Sequence, residues 1–261
     1  MRRNPCPLGL LLALGILAGA CSKDPSAPAP ATPSATPAAL QFDGFDDFVQ
    51  VPASTSLAGV GAGDFTWEIR FRRSRVRVRE DILTKKDTLR DSEHDAAIVI
   101  ENTGEVSAFL RETPFSAQTI LTSSSQVDTG WVRVAMVRSR GLLRLYVNGQ
   151  LEKTGTASFS VASTGPFRIG ANRFNNAGAD ARPVFPFAGH ISEVRIWNVA
   201  RTETEIGEAA VRCVPRGTAG LVADFRFNEG SGTVLSDASG TGNNGQLRNG
   251  PAWAPGDRSC A

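Results

Sequence analysis

Histidine, tyrosine, methionine and cysteine are all scarce in this 261-residue chain, which holds two, one, two and four of them. Zinc centres are assembled from several histidine and cysteine ligands, so this supply argues against one. His94 lies in the polar loop Arg90 to Asp95, where Ser92, His94 and Asp95 are too close in sequence to converge on one reacting atom as a relayed nucleophile. His190 falls in a strand-like segment and reads as a structural residue. A surplus of either charge is also missing, with 28 basic against 26 acidic residues. That argues against nucleic acid as a partner, because phosphate binding needs a basic surplus on one face. No apolar run is long enough for a permanent membrane-spanning helix, which takes about 20 residues.

The longest such run, Leu8 to Leu17, has a different use. Arg2 and Arg3 precede it, and Ala18-Gly19-Ala20 leads from it into Cys21. This resembles a bacterial lipoprotein precursor, with residues 1–20 as signal peptide and Cys21 as the acylated mature N-terminus, anchored to membrane. Ser22 after the cysteine, where an aspartate is absent, resembles lipoproteins sent to the outer membrane of a two-membrane bacterium, so a lipid-anchored cell-envelope location is expected. A cleaved secretory signal with an incidental cysteine is the alternative. Loss of Arg2 and Arg3 leaves 26 basic residues facing 26 acidic ones, a neutral mature chain. Cys6 departs with the signal, so Cys213 and Cys260 remain, to pair in an oxidising exterior or to stay as thiols. A disulfide closing that loop would contribute roughly 4 kcal/mol on the chain-entropy account.

Residues 21–39 form a lipidated tether rich in proline and alanine, with nothing large and apolar to bury. In the polyproline form it reaches up to roughly 50 Å from the membrane. Residues 40–261 suit a single all-β domain. Phe65, Trp67, Ile69 and Phe71 alternate with Thr66, Glu68, Arg70 and Arg72, the period of a half-buried strand. The phase then flips, so a bulge near Arg73 and Ser74 is expected to keep Val76 and Val78 inward. Further strands are expected over Ala96 to Glu101, Val106 to Arg111, Trp131 to Arg138 and Leu142 to Val147. Turns fall at Asn102-Thr103-Gly104, Ser139-Arg140-Gly141 and Asn148-Gly149. One short helix stands out after the capping box Thr202 to Glu205, placed over one end of a sandwich.

Leu40 to Pro52, Gly63 to Glu68, Trp131 to Val137 with Leu145 to Gly149, Phe167 to Gly170 and Phe187 to Asn198 together resemble the LamG-like jelly-roll domains of the concanavalin A-like lectin and glucanase superfamily. The resemblance covers nearly all of residues 40 to 250. It implies a sandwich of two antiparallel sheets, one of them concave. Leu221 to Leu247 looks like a piece that relatives carry ahead of the first strand. If first and last strands are neighbours, that piece joins from the other end of the chain and fills the same place, clipped by Cys213 and Cys260.

Glucanases of this superfamily need two carboxylates on one strand, and no Glu-x-Asp-x-Glu or Glu-x-Asp-x-x-Glu run occurs here. Glu68 stands alone, so no catalytic residue is expected and the chain reads as a non-enzyme. Calcium is the expected cofactor, because many relatives hold one. Asp43, Asp46 and Asp47 are its first candidate ligands, with a hydrogen-bonded turn as the competing reading, and Asn175, Asn176 and Asp180 are the second set. In many relatives an acidic residue stands where this chain has Ser192, which would leave the first set one ligand short. The arginines from Arg70 to Arg79 either form the solvated face of an edge strand or grip acidic sugars. Trp67, Trp131 and Trp197 read as core, whereas Tyr146, Phe174 and Arg182 are candidates for contact with a sugar. The expected function is a non-catalytic, lectin-like module that binds polysaccharide. An adhesive module that binds an envelope protein is the alternative, and a glycoside hydrolase the remote one.

Overall fold

The computed structural model describes residues 38–86, 95–112, 117–161, 163–172, 183–209 and 212–257. Sheet A runs in the order β10 (Gln150–Thr156), β9 (Leu142–Val147), β8 (Val132–Ser139), β3 (Phe65–Arg73), β12 (Ala188–Trp197), β1 (Ala38–Asp43) and β16 (Ala252–Pro255), with β13 (Leu221–Phe225) also paired to β12. Sheet B runs β14 (Val234–Leu235), β15 (Gly245–Arg248), β2 (Phe48–Val51), β11 (Phe167–Ile169), β4 (Glu80–Lys86), β5 (Asp95–Ile100), β6 (Glu105–Arg111) and β7 (Gln118–Gln126). All the pairings between these strands are antiparallel. The expected all-β jelly-roll sandwich is therefore the fold.

Its core is the layer between the sheets. Phe65, Trp67, Ile69 and Phe71 are fully buried there, as their alternation predicts, and Trp67 meets Phe167 of the opposite sheet edge-on at 4.8 Å. The other face of β3 departs from expectation, because Thr66 and Glu68 are as buried as the apolar set. Past Arg73 the strand simply ends. Val76 and Val78 are 51 % and 41 % exposed in a loop, and the expected inward bulge does not form. What holds this loop is charge: Arg73 Nε lies 3.3 Å from Glu80 Oε2, and Arg75 Nε donates to Glu80 Oε1 at 2.9 Å. β3 is also central, flanked by β8 and β12, so its arginines do not guard a sheet edge.

The hairpin turns follow from their residues. Arg140 and Gly141 (φ 51° and 76°) and Asn148 and Gly149 (φ 50° and 83°) all take the left-handed backbone that tight two-residue hairpins need. Among the described residues two short helices are present where one was expected. The extra one, α1 (Thr55–Ala58), is a single turn started by Ser54, whose hydroxyl accepts from the Leu57 N–H, and four residues carry no helical period to read. α2 (Glu203–Ala209) begins at the predicted capping box, with Thr202 N–H donating to Glu205 Oε2 at 2.8 Å and Glu205 N–H to Thr202 Oγ1 at 3.3 Å. It does not cover an end of the sandwich. Ile206 packs on Ala135, Val137 and Tyr146, because β8 and β9 are apolar on their outer face as well as their inner one.

First and last strands are neighbours, as expected: Leu40 of β1 lies opposite Trp253 of β16. β1 pairs with β12 from Ala188 to Ile191, and β13 takes over on β12 from Val194 to Trp197. The late segment thus completes sheet A and, through β15 against β2, the border of sheet B.

Candidate functional site

Asp43, Asp46 and Asp47 do converge, each offering an oxygen within 4.8 Å of the others. The corner they form also explains them without an ion. Asp43 Oδ1 accepts from the N–H groups of Phe45 (2.7 Å) and Asp46 (3.3 Å), and Asp47 Oδ2 accepts from Asp43 N–H at 2.9 Å. Burial pushes the Asp47 carboxyl up to about 6; the Asp43 N–H opposes that rise, and the Asp43 and Asp46 charges add to it. Hard oxygens fit calcium in kind, and three carboxylates would supply part of the six to eight oxygens it takes, backbone carbonyls and water the rest. Ser192 cannot share this corner. The β1–β12 register places Asp43 opposite Ala188, four residues away, which is roughly 13 Å along a strand.

Several other candidates land elsewhere than expected. Tyr146 is 3 % exposed beneath α2, so its ring is closed to a sugar. Trp67 and Trp197 are fully buried, whereas Trp131 is only half-buried and lies on the outer face of sheet A with Arg70 and Arg72. Phe174, Asn175, Asn176, Asp180, Arg182, His94, Cys21 and Cys260 lie outside the described residues.

Glu68, the one acid on its strand, belongs to a buried ion network. Its Oε2 faces Arg133 at 3.3 Å and Arg195 at 4.0 Å, and its Oε1 accepts from Trp197 Nε1 at 2.8 Å. Arg133 and Arg195 also hold Glu193, at 2.7 and 2.8 Å, and Arg195 reaches Asp224 at 3.4 Å. Glu68, Glu193 and Asp224 are 1 %, 4 % and 1 % exposed, so these carboxylates are committed to arginines and shut off from solvent. Breaking such a pair leaves an uncompensated buried charge, which accounts for the network as structure.

The outer face of sheet B offers a different arrangement. Core-facing Ala108 and Leu110 leave Phe109 on the outer side of β6, with Ala97 opposite on one neighbour and the 43 % exposed Ile120 on the other. The Arg79 guanidinium lies 5.2 Å from the Phe109 ring and 4.7 Å from the Phe185 ring, so it is stacked against both. Asp81 fixes its position, Oδ1 accepting from Arg79 Nε at 3.2 Å. Phe185 arrives from the loop after β11. The same loop lays Ala171 and Asn172 across the sheet, Thr84 Oγ1 donating to the Ala171 carbonyl at 2.9 Å and the Asn172 amide to Asp81.

Phe185 is 42 % exposed and has φ 53°, a backbone conformation that a bulky residue adopts at a cost. It is held by the Asp81 N–H, which donates to the Phe185 carbonyl at 2.9 Å. An aromatic face strained outward, with a guanidinium behind it, can pack on the C–H face of a ring while polar neighbours bond its hydroxyls. Phe185-Pro186-Phe187 in a loop was the available sequence signal, but only the fold shows that Phe187 goes inward and Phe185 outward. A separate cleft of about 630 Å³ between the β8–β9 turn and the end of β12 is lined by Asp64, Arg140, Arg144, Asn198 and neighbours, with no ring among them.

Two eight-stranded antiparallel sheets, with an aromatic platform on one outer face, define a lectin-like sandwich. The chain belongs to the concanavalin A-like lectin/glucanases superfamily, whose Laminin_G_3 family matches residues 43–207. A candidate carbohydrate-binding protein from Bacteroides ovatus is similar in fold, with a TM-score of 0.64 and 20 % identity, over 87 % of this chain and 62 % of that one. This chain therefore spans less than two thirds of that protein. A heptameric SAP-like pentraxin from Limulus polyphemus matches with TM-score 0.59 and 16 % identity, over 85 % of this chain and 97 % of that one. The CBM40 module of a Ruminococcus gnavus IT-sialidase matches with TM-score 0.52 and 15 % identity, over 66 % and 96 %. At these identities the likeness is one of fold. No curated protein matches the chain.

Proposed function

We propose that this protein is a non-catalytic carbohydrate-binding module displayed on a cell envelope, and that it takes its glycan on the outer face of sheet B. The observation that carries this reading is the exposed Phe185 ring, strained outward and backed by Arg79 and Phe109. Lipidation at Cys21 and the tether that leads into β1 at Ala38 would hold the domain at the membrane, and a Cys213 to Cys260 bridge would clip the late strands to the body. Burial of Glu68 in ion pairs supports binding over hydrolysis. Asp43, Asp46 and Asp47 are the residues that would hold calcium, which would brace the β1–β2 corner; the sugar contact does not depend on it.

Retention on insoluble polysaccharides, backed by a glycan array and run with and without calcium, tests the proposal. Phe185→Ala is expected to weaken binding at least 10-fold while leaving the melting temperature within a few degrees, since the ring is a surface group. Absence of binding to any glycan would overturn it, as would a specific envelope-protein partner that sugars fail to displace.

A further inference from the structure

The outer face of sheet A, on the opposite side of the sandwich, gathers a second set of surface groups. Register dictates it: Phe71 lies opposite Val132, which sets Arg72 beside Trp131, His190 lies opposite Arg72, and Gln41 opposite His190. The half-buried Trp131 ring has the Arg72 guanidinium at 5.4 Å, that of Arg70 at 5.6 Å and the His190 ring at 6.5 Å. Arg70 is tied to Asp257. Arg72 has no acidic partner among the described residues, whereas Arg73, Arg75, Arg79, Arg133 and Arg195 all have one.

Among the described residues, two buried polar atoms on the same strand have neither a hydrogen bond nor an ion pair. His190 Nδ1 has no hydrogen-bond partner among the described residues, and burial together with the Arg72 charge keeps the imidazole below its ordinary value. Ser192 Oγ is likewise unpartnered in a residue 4 % exposed, at the bulge where Ser192 and Glu193 both stand between core-facing Ile191 and Val194. Buried polar atoms are normally satisfied, by protein, water or ligand.

We propose that Trp131, Arg72, Arg70, His190 and Gln41 form a second glycan site, selective for a polysaccharide carrying carboxylate or sulfate groups. The Trp131 ring packs on the sugar, the unpaired Arg72 fork takes the acidic group, and Gln41 with the His190 edge bonds hydroxyls. This site is separate from the Phe185 face and does not rest on it.

Affinity electrophoresis and calorimetry with polygalacturonate and its methyl ester, and with dextran sulfate and dextran, test it on the purified full-length protein. Binding at least 10-fold tighter to a charged polymer than to its neutral counterpart is expected. Preference for polygalacturonate assigns the carboxylate, preference for dextran sulfate the sulfate ester. Arg72→Gln should abolish the preference, and Arg72→Lys should retain it in weakened form. Equal binding to charged and neutral polymers, or a preference that survives Arg72→Gln in a folded variant, overturns the proposal. A preference lost with Phe185→Ala also overturns it, by moving the charge recognition to the other face.

Discussion

Asp237 shows how much one carboxylate can organise. Its Oδ1 accepts from the N–H groups of Asp224 (3.0 Å) and Ser239 (2.9 Å), and its Oδ2 from Ser239 Oγ, Thr241 Oγ1 and the Asn243 N–H, each at 2.9 Å. Burial alone would raise its proton affinity, but the N–H and hydroxyl donors outweigh it and hold the carboxyl below its ordinary 3.8. A carboxyl that is more acidic folded than unfolded contributes stability above its ordinary value, and that contribution disappears as pH falls through the lower folded value. Asp237→Asn should therefore destabilise the domain by about 1 to 3 kcal/mol near neutral pH, with a gap to the natural chain that closes below pH 3.8. Urea unfolding at pH 7 and pH 3 checks the sign. In the sequence, Asp237-Ala238-Ser239-Gly240 reads only as a turn, because its bond to the Asp224 N–H depends on where β13 lies.

Among the strands, the β3–β12 pairing has the tightest requirement. A side chain on Gly189 (φ 151°) would place its Cβ 2.2 Å from the Arg72 carbonyl oxygen and 2.7 Å from the Phe187 ring. Backbone cannot step aside as a flexible side chain can, so Gly189→Ala should lower the melting temperature by more than 10 °C in a thermal scan, whereas most surface changes move it little. Alternation and apolar runs made β3, β5, β6, β8 and β9 legible; β4, β7, β10 and residues 74 to 79 were not. Val76 and Val78 keep the two-residue period in the opposite phase and stay outside, since Glu80, at the start of β4, binds Arg73 and Arg75 and ends the strand. Alternation records which residues could face inward together, and it is blind to an ion pair that closes the strand first. The outer faces were misread for a related reason. Tyr146 looked available because α2, which covers it, comes from a segment far along the chain.

At the level of the whole molecule, the N-terminal segment and the sandwich make separable claims. Expressed as a full-length precursor in a two-membrane bacterium, the natural chain should enter the membrane fraction and incorporate labelled palmitate. Under the proposed lipidation Cys21→Ala should do neither, because one residue would carry the anchor. The C-terminal segment contributes to both sheets, with β16 against β1 and β15 against β2. The sequence alone determined the all-β class, the inner face of β3, the left-handed turns and the start of α2, because each depends on neighbours within a few residues. Only the tertiary structure decided that Glu68 is a buried counter-charge, that Trp131 sits among arginines on a sheet face and that Phe185 points outward over Arg79. Those roles depend on strand register and on loops from distant parts of the chain, which local pattern does not encode.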